Sequence, residues 1–262
     1  MELAGKFIVV TGAASGIGRA LCRAFAAAGA QGIIVADLDA AAARRTAAEF
    51  DALAVGCDVA SEADVRSLVG EALRRFGQID LFCSNAGICF AGGIDAPDTD
   101  WQRAMQVNFM AHVYAARAVL PDMLRRREGY LLQTTSAAGL LTQLGSAPYS
   151  ATKHAAVALA EWLAITYARA GIKVSCLCPQ GVRTAMLDDS VGPLADMLRE
   201  TALEPEQVAQ AAVRGIAEER FLILPHPEVG EYFLHRAQDH ERWLRGMRRW
   251  QDKLDAAGGP SP

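Results

Sequence analysis

The sequence predicts a doubly wound α/β fold, a single parallel sheet with helices on both faces. Short apolar runs alternate with longer helix-forming stretches almost from end to end. Most of those runs are continuously apolar rather than alternating, as strands buried on both faces should be. Glycine falls just after four of the helical stretches, at Gly29, Gly77, Gly129 and Gly171, where a left-handed cap needs no Cβ.

Taken in order, strand Phe7–Val10 leads through a glycine-rich turn into helix Gly16–Ala28. Strand Gly32–Ala36 is followed by helix Ala40–Phe50, and strand Ala52–Cys57 by helix Glu62–Phe76. Ser61 and Asp64 form the N-terminal capping pattern of that third helix. Strand Ile79–Cys83 precedes helix Asp100–Arg126, Tyr130–Thr134 precedes Pro148–Ala170, and Ile172–Cys178 precedes Pro205–Ala217. Phe221–Leu224 is the last strand. Right-handed crossovers joining these units give the parallel sheet. No repeat or linker divides the chain. Residues 1–225 read as one domain and 226–255 as a helical C-terminal extension, packed on the same domain or on a neighbouring subunit. Residues 256–262 read as a disordered tail.

The bulk properties narrow the function. The chain has 262 residues, 52% hydrophobic and 21% charged, which is ample for one buried core and argues against disorder. Its net charge is −4 and no basic block marks a nucleic-acid surface. Arg125, Arg126 and Arg127 fall at a helix end, where they complement the dipole. Arg245, Arg248 and Arg249 read as a solvated helix face, with a weak patch for an acidic partner as the alternative. No apolar run is long enough to cross a bilayer, and Met1 to Lys6 leads straight into a strand without a signal peptide. The six cysteines (22, 57, 83, 89, 176 and 178) lack a second pair at metal-ligand spacing, so no metal is expected. They read as reduced, mostly buried thiols of a cytoplasmic protein.

Two segments carry chemistry. Thr11-Gly12-Ala13-Ala14-Ser15-Gly16-Ile17-Gly18 lies between the first strand and the first helix. Glycines there let the backbone approach a pyrophosphate, whose charge the helix N-terminus stabilises. Asp37 ends the second strand, where a carboxylate binds the adenosine ribose hydroxyls and repels a 2′-phosphate; alternatively it caps the following helix. Neither Ser15 nor Leu38 is replaced by a basic residue that would welcome that phosphate, which favours NAD over NADP. Tyr149 and Lys153 lie four residues apart at the start of a helix and so share a face. A phenol titrates near pH 10. A neighbouring ammonium, helped by oxidised nicotinamide, would bring it toward neutrality and make it an acid/base. A surface pair is the bland reading of the same spacing.

Tyr149-Ser150-Ala151-Thr152-Lys153 resembles the YxxxK signature of the short-chain dehydrogenases/reductases. The Thr11–Gly18 loop resembles that family's TGxxxGxG, and Ser84-Asn85-Ala86-Gly87 its NNAG element, with serine in first place. Asn108 and Ser136 fall where the family has its helical Asn and its catalytic Ser. The likeness runs from the first strand to about Met186 and implies a Rossmann fold. It implies Tyr149 as general acid/base, Ser136 holding the substrate oxygen, and Lys153 lowering the Tyr pKa and binding the nicotinamide ribose. Asn108 would kink its helix and anchor a water leading from Lys153 to solvent.

The same resemblance assigns further cofactor contacts. Gly12, Ser15, Gly16, Ile17 and Gly18 would hold the pyrophosphate and nicotinamide side, and Asp37 and Leu38 the ribose. Asp58, Val59, Asn85, Ala86 and Gly87 would border the adenine and its ribose, and Val182 and Thr184 the carboxamide. Gln180 departs from the family's Pro-Gly, which puts a polar side chain at the substrate pocket. His112 and His154 match no family role and read as packing or solvent residues. The resemblance also implies a homodimer or homotetramer.

The segment from Thr184 to Glu204 should cover the active site. Its Met186, Leu187, Val191, Leu194, Met197 and Leu198, with Cys89, Phe90, Leu140, Leu141 and Leu144, suggest an apolar pocket. Arg183 is the only basic residue near enough to hold an anion. Tyr232, Phe233, Trp243, Leu244, Met247 and Trp250 form an apolar stripe that packs on its own domain, joins a second subunit or closes the pocket. The expected activity is an NAD-dependent interconversion of a neutral, hydrophobic secondary alcohol and its ketone. The alternatives are an NADP-dependent reductase, an epimerase or dehydratase using bound cofactor transiently, and a nucleotide-sensing protein without catalysis.

Overall fold

The computed structural model describes residues 1–258. Seven strands form one sheet: β1 (Phe7–Thr11), β2 (Gly32–Asp37), β3 (Leu53–Gly56), β4 (Leu81–Ser84), β5 (Gly129–Thr134), β6 (Ile172–Leu177) and β7 (Leu222–Ile223). Their order is β3-β2-β1-β4-β5-β6-β7 and every pairing is parallel. This is the doubly wound Rossmann architecture. Because the chain winds outward in both directions from the β1–β4 pair, loops at the carboxyl ends of these two strands part and leave a crevice.

Continuous apolar strands are explained by two cores. Val9, Ile34, Phe82 and Leu131 point into one and Ile8, Val10, Ile33, Val35, Leu81 and Leu132 into the other. Successive side chains of a strand face opposite ways, so a polar residue at either parity would be buried. Helices α3 (Glu62–Phe76), α5 (Ala111–Arg126) and α7 (Ala147–Tyr167) cover the first face through Leu68, Val119 and Leu163. Helices α1 (Gly16–Ala27), α2 (Ala40–Ala47) and α10 (Pro205–Ala217) cover the second through Leu21, Ala43 and Val208.

Several boundaries differ from expectation for identifiable reasons. The predicted helix Asp100–Arg126 is instead α4 (Asp98–Met105), a π-helical turn over Gln106–Met110, and α5. The left-handed cap of α5 is Arg127, at φ 55°, and not a glycine. Gly129 already belongs to β5 and is needed for another reason: a Cβ there would stand 2.4 Å from Met123. The second helix stops at Ala47, short of the positive-φ Asp51. Three short helices escaped prediction: α6 (Ala138–Leu141), α8 (Ala185–Asp188) and α9 (Pro193–Glu200). After β7 come α11 (Glu228–Gln238) and α12 (His240–Ala256). Ala256, expected in the tail, ends α12, while residues 259–262 lie outside the described residues. Among the described residues no helix is long and apolar enough to cross a membrane.

Candidate active site

The crevice opens into a cleft of about 1150 Å³. Its floor is the β1–α1 turn, where Gly12 and Gly16 have φ +62° and +50°. A Cβ at Gly12 would lie 2.7 Å from the Cα of Ala86, and one at Gly18 would lie 2.1 Å from the Gly12 carbonyl oxygen. No side chain fits either place. Ser15 precedes α1 in extended conformation and its side chain caps nothing, so the first N–H groups of α1 are left for a ligand. Asn85 fixes the turn from the β4 side, its Nδ2 donating to the carbonyls of Thr11 at 3.0 Å and Gly12 at 3.3 Å. The Thr11 hydroxyl, which the sequence reading passed over, accepts from the amides of Asn85 and Ala86.

Asp37, Leu38, Asp58, Val59, Ala86 and Gly87 surround one end of the cleft. Asp37 accepts from the amides of Ala14 (2.9 Å) and Asp39 (3.1 Å), which holds its carboxylate against the glycine turn. Capping of α2 falls to Asp39, which accepts from Ala41 and Ala42. The bland reading of Asp37 is therefore taken by its neighbour. Arg103, the basic side chain at this end, is engaged with Asp58 at 3.5 Å. A bare glycine turn, an uncapped helix N-terminus and a fixed acidic residue fit a dinucleotide.

Tyr149 and Lys153 on α7, and Ser136 beyond β5, face the middle of the cleft. Lys153 Nζ lies 5.5 Å from the centre of the Tyr149 ring and donates to the Thr134 carbonyl at 3.2 Å. The Ser136 hydroxyl accepts from the Ala138 amide at 3.1 Å. Burial pushes the Tyr149 phenol above its ordinary range, with the Ser136 hydroxyl acting the other way. Burial likewise pushes the Lys153 ammonium down to about 8. In the protein without cofactor, loss of water dominates both groups.

Asn108 does not line the cleft. It is fully buried in the π-helical turn, where its Nδ2 donates to the Ile88 carbonyl (2.9 Å) and Thr152 hydroxyl (3.2 Å), and its Oδ1 accepts from the Ile88 amide. It stands directly behind Gly87, whose Cβ would fall 3.3 Å from Asn108 Oδ1 and 3.4 Å from Lys153 Nζ. The four expected catalytic residues therefore divide: three face the cleft and Asn108 backs them. His112 is buried behind the sheet, its Nδ1 against Gln133 Oε1, and burial pushes its pKa down to about 4. His154 points away from the cleft to Arg236.

Ile17, Gln180, Val182 and Thr184 form the far wall. Gln180 keeps ordinary backbone angles, so the missing family glycine causes no strain there. The next residue, Gly181, carries the steric demand, since a Cβ would meet the Leu198 carbonyl at 2.5 Å. Met186, Leu187, Leu194, Met197 and Leu198 close the substrate end with Leu141 and Leu144, as expected. Val191 does not; it is 92% exposed. Leu140 is buried beneath the wall, and Arg183 turns outward to Glu204 at 3.0 Å.

The last wall comes from the C-terminal helices. Tyr232, Trp243, Met247 and Trp250 of the apolar stripe line the cleft, while Phe233 and Leu244 do not. Arg242 and Arg249 line it too; Arg242 was not singled out from the sequence, and Arg249 was read with Arg245 and Arg248 as a surface group. Their signal was the spacing: Arg242, Gly246 and Arg249 repeat beside Trp243, Met247 and Trp250 at one helical period. Among the described residues no three His, Cys, Asp or Glu side chains converge as a ligand set.

Comparison with known proteins gives a consistent result. A family profile described as short chain dehydrogenase matches residues 6–192. The 1-deoxy-11-beta-hydroxypentalenate dehydrogenase of Streptomyces exfoliatus is 36% identical over 238 residues, covering 87% of this chain and 86% of its own. Oxidoreductase UcpA of Escherichia coli is 32% identical, covering 94% of this chain and 92% of its own. A short chain dehydrogenase/reductase from Burkholderia phymatum, solved in complex with NAD, superposes with a TM-score of 0.84 at 32% identity, over 92% of this chain and 96% of its own.

Proposed function

The chain belongs to the short chain dehydrogenase family, and from that premise we propose that it is an NAD(H)-dependent enzyme interconverting a secondary alcohol and a ketone on a largely apolar substrate. The observation that carries this reading is the convergence of Ser136, Tyr149 and Lys153 on one cleft with the glycine turn and Asp37. Bound nicotinamide supplies or accepts the hydride. Tyr149, as phenolate, takes the proton from the substrate hydroxyl during oxidation and, as phenol, returns it to the carbonyl oxygen during reduction. Ser136 donates to the same oxygen and fixes its distance from the ring. Lys153, from one turn further along α7, favours the phenolate; that help is needed because burial alone opposes it. Asn108 holds the Ile88 backbone and, through it, the strand end facing Lys153.

Asp37 and the exposed Leu38, with Arg103 on the same wall held by Asp58, support NAD over NADP. The NAD in the B. phymatum relative agrees with that choice. The Streptomyces relative is named as a dehydrogenase of a hydroxyl-bearing compound, 1-deoxy-11-beta-hydroxypentalenate, which agrees with oxidation of an alcohol. Trp162 and Ile165, exposed on the outer face of α7, support assembly into a homo-oligomer through that face. Six free cysteines, five of them buried, support a cytoplasmic location.

The test is NADH appearance with a panel of secondary alcohols, comparing wild type with Tyr149→Phe. Turnover that falls by roughly 10²–10⁴ in the variant, with NAD affinity kept, is the expected result. Equal turnover in both proteins overturns the role of Tyr149.

A further inference from the structure

We propose that Arg242 and Arg249 of α12 form an anion-binding subsite at the substrate end of the cleft, so that the enzyme acts on apolar alcohols carrying a carboxylate. The inference deepens the reading above and rests on it. Both arginines line the cleft, on a helical surface that also presents Trp243, Met247 and Trp250. Neither forms an ion pair among the described residues. Two other arginines near this end are engaged: Arg183 pairs with Glu204, and Arg236 reaches the Leu140 carbonyl and lies over the Trp243 ring. Asp239 is on the same wall, but its carboxylate accepts from the Arg242 amide at 2.9 Å and serves as the cap of α12.

Gly246 lies between the two arginines along the helix. A Cβ there would have Arg249 Nη2, at 3.9 Å, as its one neighbour within 4 Å outside the helix's own backbone, so no bulky side chain covers the helix beside that guanidinium. The rest of the substrate end is apolar, from Leu141 and Leu144 to Met186, Leu194 and Met197. A free cationic pair at the rim of an apolar pocket matches a ligand with a hydrocarbon body and one anionic end. Guanidinium groups bind carboxylates through paired, charge-assisted hydrogen bonds, more strongly beside low-dielectric walls.

The experiment uses acids with a hydroxyl on the penultimate carbon, from hexanoate to dodecanoate, and their methyl esters. Binding to the NADH-loaded protein is followed by tryptophan fluorescence, and turnover by NADH appearance with NAD. We expect wild type to bind at least one acid about ten-fold more tightly than its ester. The Arg242→Ala/Arg249→Ala variant should lose that preference while keeping its affinity for ester and for NADH. Added salt should weaken the acid and leave the ester unchanged. Equal binding of acid and ester by wild type, or equal loss of both in the variant, overturns the subsite. Weakened NADH binding in the variant assigns the arginines to the cofactor and also overturns it. Acid-selective binding without NADH formation from any acid or ester would keep the subsite and sink the dehydrogenase reading, so the two failures are distinct.

Discussion

The backbone amide of Gln180 donates to Nδ1 of His226 at 3.2 Å, tying the wall beyond β6 to the segment that follows β7. The bond requires a neutral imidazole, and burial holds the His226 pKa below its ordinary 6.5. Because the folded pKa is the lower one, the stability this residue contributes is present at neutral pH. It is lost as pH falls below 6.5 through the folded value. His226→Leu leaves the Gln180 amide without its partner and should cost about 1–3 kcal/mol at pH 7. Urea unfolding of both proteins at neutral and acid pH checks this. A gap that does not narrow in acid would show that the imidazole's charge state is irrelevant to the loop.

His112 gives a second acid-sensitive element, on the other side of the sheet's carboxyl end. It is fully buried on α5 with Gln133 as its hydrogen-bond partner, and its pKa lies near 4 through burial and then the charge of Lys153. The unfolded state therefore binds more protons between pH 6.5 and about 4, and folding loses on the order of 3 kcal/mol across that window. The imidazole C–H resonance should titrate with a midpoint near 4, and a midpoint above 6 would refute the burial argument.

Much of this fold was legible because strands buried on both faces are continuously apolar, and the register of Ile8, Val9 and Val10 shows why that pattern has no other use here. The glycine turn and the Tyr149–Lys153 spacing were legible because close approach and helical period leave few residue choices. What escaped was set by long-range contact. Arg249 reads as part of a solvated helix face and Arg242 is not singled out until α12 is folded against the cleft; their helical spacing puts them beside the aromatic stripe but does not specify where that stripe docks. Asn108 was found as a motif position expected to kink its helix, yet its place behind the cleft depends on how the π-helical turn seats it against Ile88, a contact that no local pattern specifies.

Cofactor choice rests on Asp37, which also accepts the Ala14 amide, so a simple truncation would disturb the turn itself. Asp37→Ser with Leu38→Arg keeps an acceptor for that amide and adds a cation beside the ribose. The double variant should lose at least about ten-fold in kcat/KM with NAD and raise the NADP/NAD ratio about 10²-fold. Steady-state kinetics with both cofactors decides the matter. A wild type that already prefers NADP would remove Asp37 from the role assigned to it.

Lys153 sets the energetic cost of the site. Its side chain is buried, its ammonium donates to the Thr134 carbonyl, and burial lowers its pKa from 10.5 to about 8. Between those values the unfolded chain binds more protons than the folded one, so the penalty is fully present below pH 8 and disappears as pH rises toward 10.5. At pH 7 it is on the order of 3 kcal/mol, offset in part by the bond to Thr134. Replacing a buried charge by an apolar chain of similar length removes the penalty, and such exchanges are often neutral or stabilising. Lys153→Met should therefore unfold at the same or higher urea concentration than wild type at pH 7 without cofactor, with the difference shrinking toward pH 10. The same variant should lose turnover by at least about 10²-fold, since the phenolate of Tyr149 then has no cation beside it. A variant destabilised by several kcal/mol at pH 7 would mean that the ammonium holds the wall together, and that the site is built on Lys153 rather than strained to contain it.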